Sequence, residues 1–105
     1  MNAEVISEIL DRRKEDWVDL AEVMSVVRAR TSLAEPAVVS LSVELIDDML
    51  NHHLVTVGDL LTRDDKVFFS PWEGPPKQIV ERIKKNLTGL GHRPGLGDIC
   101  WLSTT

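Results

Sequence analysis

A chain of 105 residues, 43% hydrophobic and 28% charged, has room for one core and one domain, taken here as 1–105. The single cysteine, Cys100, excludes an internal disulfide, and no apolar run is long enough to span a bilayer. The N-terminal MNAEVISEILDRRK places its acids early and its bases after the apolar part, the reverse of a secretory signal, so a cytoplasmic location is expected. The net charge of −5 fits either simple solubility or a surface for a cationic partner.

From Met1 to Glu35 there is no Gly or Pro, and Ile6, Leu10, Trp17, Leu20, Met24 and Val27 recur at helical spacing. Arg13 falls on that apolar stripe, and Asp11 to Asp16 is charged all round. The spacing therefore predicts two helices broken there, with Asp16 capping the second and Asp19 in its first turn. Arg30 to Glu35 connects to a third helix, Pro36 to about His53. Pro36 suits a first turn, because its missing N–H has no intrahelical partner there anyway. Val38, Val39, Leu41, Leu45, Ile46, Met49 and Leu50 give this helix a broad apolar face. Its exposed positions are expected to be Ser40, Ser42, Glu44, Asp47, Asp48, Asn51 and His52.

Two β-prone runs follow, Leu54–Leu61 and Val67–Ser70, around the polar turn Arg63-Asp64-Asp65-Lys66. They predict an antiparallel hairpin, with a bulge or bend at Gly58. Gly74-Pro75-Pro76 opens a helix to about Leu90, with Ile79, Val80, Ile83, Leu87 and Leu90 inward. The glycine-rich loop Gly91 to Gly97 leads to a last strand, Ile99 to Leu102, in which Trp101 is expected in the core. The resulting order is ααα-ββ-α-β, an α+β fold with a small antiparallel sheet.

A helix running straight into a hairpin is the layout of a winged-helix recognition helix and its wing. The charge contradicts a DNA-reading role. Thr31 to Thr62 holds no Lys or Arg, whereas Glu35, Glu44, Asp47, Asp48 and Asp59 are all acidic. A helix entering DNA needs cations, since phosphate neutralisation supplies most of the affinity.

Catalytic and metal constellations are weak. Asp48 and His52 share a helix face, but His52 and His53 point about 100° apart, and zinc needs three or four converging ligands. His92 and Cys100 lie far along the chain, so no metal site is expected. Cys100 sits in the apolar run Ile99-Cys100-Trp101-Leu102 and reads as a small buried hydrophobe rather than a nucleophile. The glycine-rich loop follows a helix and opens a strand, the opposite of a dinucleotide-binding fingerprint, so no cofactor is expected. The carboxylate pairs Asp47-Asp48 and Asp64-Asp65 read as solvated charge. A basic group, Lys77, Arg82, Lys84, Lys85 and Arg93, lies on the last helix and the following loop. It reads as a solvated face or a phosphate contact. Trp72, between Pro71 and Glu73, falls in a loop, where it serves either as an interface anchor or as a lid over the sheet.

The runs Val43-Glu44-Leu45-Ile46-Asp47-Asp48-Met49-Leu50 and Leu54-Val55-Thr56-Val57-Gly58-Asp59-Leu60 resemble those of short bacterial proteins of uncharacterised function. So do Phe69-Ser70-Pro71-Trp72, Ile79 to Lys85, and the ending Gly97-Asp98-Ile99-Cys100-Trp101-Leu102. The arrangement is also similar to small winged-helix-like immunity proteins of contact-dependent toxin systems, over about the last two-thirds of the chain. The resemblance implies an acidic, non-catalytic cytosolic inhibitor that occludes a toxin domain. The sequence therefore points to a protein-binding module, not an enzyme, with Glu44, Asp47, Asp48 and Trp72 as candidate partner contacts and a basic toxin domain as partner. The alternative is a winged-helix DNA-binding regulator that uses the hairpin tip, Arg63 and Lys66, together with the last helix.

Overall fold

A computed structural model of the chain describes residues 3–12, 17–90 and 99–104. Four helices and a four-stranded antiparallel sheet make an α+β fold. In chain order they are α1 (Ala3–Arg12), β1 (Val18–Asp19), α2 (Leu20–Thr31), α3 (Glu35–Asn51), β2 (Val55–Arg63), β3 (Lys66–Pro71), α4 (Pro76–Leu90) and β4 (Trp101–Thr104). The order across the sheet is β1-β4-β2-β3. Compared with the expected order, a short strand is added between the first two helices. The C-terminal strand also lies inside the sheet, between β1 and β2.

The expected break between the first two helices is present, but its chemistry differs. The second helix begins at Leu20, and Asp19, not Asp16, caps it, its Oδ1 accepting from the Glu22 N–H at 3.0 Å. Asp16 lies outside the described residues, and Trp17 precedes β1 instead of continuing a helical stripe. The shift follows from pairing with the far end of the chain. Val18 lies opposite Leu102, Asp19 opposite Trp101, and the Leu20 N–H donates to the Cys100 carbonyl at 3.2 Å. Those partners satisfy backbone groups that would otherwise favour earlier helix entry. The Arg30–Glu8 ion pair at 2.6 Å joins α2 to α1, which buries Val5 and Ile9.

Helix α3 begins one residue before Pro36 and ends at Asn51. His53 adopts a left-handed conformation (φ 57°), and the Leu54 N–H reaches back to the Met49 carbonyl at 2.8 Å. This closure releases the chain directly into β2. Val38, Leu45, Ile46 and Met49 are buried, as the pattern predicted. Ser42 is a correction. It was expected on the exposed face and is fully buried, its hydroxyl donating to the Val38 carbonyl at 2.7 Å. That intrahelical bond satisfies the hydroxyl and makes its burial tolerable.

The hairpin forms as expected, with Arg63 opposite Lys66, but no bulge interrupts it at Gly58, where the register runs one-to-one against Pro71 and Trp101. Asp64 and Asp65 turn it with φ of 52° and 63°, the double positive φ of a type I′ turn whose twist matches the strands. Gly58 is where two strands crowd. A Cβ there would meet Phe69 Cζ and Pro71 Cα, each at 2.8 Å. Val55 and Val57 point into the core beside Leu102, while Gly58 pairs with Trp101 on the other face. Trp101 is therefore a second correction. It is half-buried on the face of the sheet away from Leu102, because strand alternation gives the core position to Leu102.

Candidate functional site

The exposed flank of α3 meets α4 along a groove of about 520 Å³. Val39 and Val43 from α3 and Val80 and Leu87 from α4 line its apolar part. Glu44 and Asp47 stand on the α3 side and Lys84 and Thr88 on the α4 side. The groove arises from one pattern in each helix. On α3 the lining positions recur at four-residue spacing beside the buried stripe. On α4, Ile79 and Ile83 take the deepest positions and leave Leu87 only half covered. The α3 lining from Val39 to Asp47 runs about 12 Å, at 1.5 Å per residue, or roughly two helical turns.

Of the four candidate contacts, the fold brings two together. Glu44 is exposed at the groove, and Asp47 beside it is held by Asn51, whose Nδ2 donates to Asp47 Oδ1 at 2.8 Å. Asp48 is exposed on the same helix, outside the groove, with His52 Nδ1 at 3.8 Å from its Oδ1. Glu35 is committed elsewhere. Arg28 grips its two carboxylate oxygens at 2.8 and 3.2 Å and ties α2 to the start of α3.

Trp72 stands apart from the other three. It is only 7% exposed, so it is a lid and not a free anchor. Its Nε1 donates to Asp59 Oδ2 at 2.8 Å, and the Arg82 guanidinium stacks on its ring at 3.8 Å from the centroid. Arg82 also approaches the same Asp59 oxygen at 4.0 Å. Trp72, Asp59 and Arg82 thus lock the loop after β3 to both β2 and α4. The lock takes one cation from the basic group of α4. Arg93 and the glycine-rich loop lie outside the described residues, which leaves Lys77, Lys84 and Lys85 as the exposed bases of α4 outside the lock.

No family model, curated protein or solved structure matches the chain. The site must be read from its chemistry alone. Among the described residues, no group of three or more His, Cys, Asp or Glu could hold a metal ion. Cys100 is buried, and desolvation, reinforced by the negative charges of Asp19 and Asp59, pushes its thiol up to about 12. A thiol held protonated and enclosed is not positioned for nucleophilic attack. No helix among the described residues is long and apolar enough to cross a membrane.

The apolar α4 half of the groove was not among the sequence candidates. Val80 and Leu87 belonged to a stripe assigned wholly to the core. The available signal was the width of that stripe, five apolar positions of which the fold buries only Ile79, Val80 and Ile83.

Proposed function

We propose that this chain is a non-catalytic protein-binding module of winged-helix-like layout whose α3/α4 groove receives a cationic, partly apolar element of a protein partner. Neutralising a basic toxin domain, as the resembling immunity proteins do, is the form of this activity that the charge fits best. The observation that carries the reading is an apolar groove whose α3 rim is acidic, on a helix that has no Lys or Arg, with Lys84 as the one cation on its α4 side among the described residues. The apolar floor supplies affinity, while Glu44 and Asp47, with Asp48 beyond them, supply orientation and association rate.

The test is a reversal of charge. With a basic toxin domain that the unmodified protein binds as partner, Asp47→Lys/Asp48→Lys should weaken the complex at least about tenfold at low salt. Most of the loss should lie in the association rate, and the difference should shrink as salt is added. Unchanged affinity would overturn the reading.

A DNA-binding regulator is the second reading, favoured by α3 running directly into the β2–β3 hairpin and by Lys77, Lys84 and Lys85 on α4. It requires the opposite sign from the same double variant, since added lysines strengthen phosphate contact. Tight, salt-sensitive duplex binding by the unmodified protein would promote it.

A further inference from the structure

The hairpin carries an apolar surface that the groove does not use. Leu61 and Phe68 lie directly opposite each other and are 44% and 40% exposed, and Val67 is 53% exposed. β3 is the edge of the sheet, and among the described residues nothing pairs with its outer side. Edge strands are usually protected by charge, proline or a bulge. Here Lys66 and Pro71 mark the two ends and leave the middle of the strand apolar.

One hydrogen bond fixes which backbone groups face outward. The Trp72 N–H donates to the Val57 carbonyl at 2.9 Å, so this pair is hydrogen-bonded to β2. Antiparallel pairs alternate, which turns Ser70, Phe68 and Lys66 toward β2 and Pro71, Phe69 and Val67 away from it. Proline has no N–H, so the outward donors of β3 are those of Val67 and Phe69.

From this geometry we infer that β3 pairs with the β3 strand of a second copy, antiparallel about a two-fold axis at Phe68. This register uses both outward donors and also sets the exposed Phe68 of the two copies against each other. Val67 of each copy then lies opposite Phe69 of the other, giving about four inter-chain hydrogen bonds. An axis at Phe69 would keep both donors bonded, with Val67 donating to the Pro71 carbonyl, but would set Phe68 against Ser70 and leave the apolar patch unpaired. An axis at Val67 would set Phe69 against the turn residue Asp65. In the chosen register Lys66 faces Ser70, so no like charges oppose each other. The two Phe68 side chains meet at a non-hydrogen-bonded pair, where side chains approach most closely, with Leu61 beside them on the same face. The two sheets become one continuous sheet of eight strands. A contact made by two six-residue strands falls below the ~1,200 Å² of a standard stable interface. The association is accordingly weak and concentration-dependent.

The α3/α4 groove and this edge involve different residues, so the inference stands whether or not the groove binds a partner. Sedimentation of the full chain up to about 1 mM tests it, since a dissociation constant as weak as ~1 mM still populates the dimer there. The expected result is a monomer–dimer equilibrium. Phe68→Glu and Phe68→Lys should each weaken it at least about tenfold, by setting like charges opposite each other, and mixing the two should restore a heterodimer. Phe68 is exposed, so both variants should keep the melting temperature of the parent within a few degrees. Phe68→Cys should cross-link across the axis on oxidation, because the two Cβ atoms lie within disulfide reach, whereas Leu33→Cys, equally exposed, should not. A wild type monomeric at the highest concentration would overturn the inference. So would a dimer indifferent to the charge at position 68.

Discussion

The α3/α4 side and the β2–β3 hairpin present two kinds of surface built by opposite means. On α3 the backbone is satisfied within the helix, so binding must come from side chains, and those supplied are apolar in the groove and acidic at its rim. On β3 the backbone itself is the unfinished element, and the side chains Val67 and Phe68 add apolar area to it. If the proposals hold, the first surface selects by charge and answers to salt, and the second selects by register and answers to single residues. The Trp72–Asp59–Arg82 lock lies between them, joining hairpin to α4.

The sharpest way to separate the two surfaces is to remove that lock. Trp72→Ala should cost about 3–5 kcal/mol, the usual loss for truncating a buried tryptophan. Trp101→Ala should cost about half as much, because its ring is half-buried on the outer face. Urea unfolding of both variants checks the order, and a larger loss at Trp101 would mean that the outer face, not the lock, holds β4 and the hairpin. Gly58→Val should cost about 3 kcal/mol by driving a side chain into Phe69 and Pro71, and should release β3 while leaving α3 folded. Amide exchange would show this as lost protection confined to the hairpin.

These residues also show what was legible in the sequence. The helices from α3 onward and the hairpin announce themselves through local periodicity and turn chemistry. β1 does not, because two residues, Val18 and Asp19, become a strand only by meeting Leu102 and Trp101 more than eighty positions away. Trp101 was misplaced for the same reason. Which face of β4 looks inward depends on its neighbours β1 and β2, and an apolar run by itself does not reveal it. For the site, Glu44 and Asp47 could be read from helical phase. Their pairing with Val80 and Leu87 depends on how two helices pack, and Trp72 as lid depends on the partner offered by Asp59.

A smaller effect comes from Cys100, which links β1, β4 and the core. Its thiol is pushed from 9.0 to about 12 by burial, so the folded state keeps a proton that the unfolded chain releases. The contribution of Cys100 to stability should therefore be constant below pH 9.0 and should fall above it, by about 1 kcal/mol per pH unit until the folded thiol ionises. Cys100→Ala should flatten that alkaline slope relative to the parent. An identical slope in the two proteins would show that other groups dominate.

The smallest predicted effects compare two left-handed turns, one serving each surface. His53 closes α3 at φ 57°, and Asp64 and Asp65 close the hairpin at 52° and 63°. Each is a non-glycine residue in a conformation that glycine adopts without steric cost. His53→Gly should relieve strain at the α3 terminus, and Asp64→Asn/Asp65→Gly should install the preferred type I′ pair at the hairpin tip. Each gain should be about 0.5–1 kcal/mol, because the relief is partly offset by the greater unfolded-state freedom of glycine. The two variants should differ in where they act. A tighter hairpin tip pre-orders β3, so Asp64→Asn/Asp65→Gly should strengthen self-association severalfold while leaving partner binding at the groove unchanged. His53→Gly should leave self-association unchanged, since α3 contributes nothing to the β3 edge. Denaturation midpoints and sedimentation on the same samples decide the matter. If both variants shifted dimerisation equally, hairpin and helix would move as one unit, and the division of the molecule into two independent surfaces would fail.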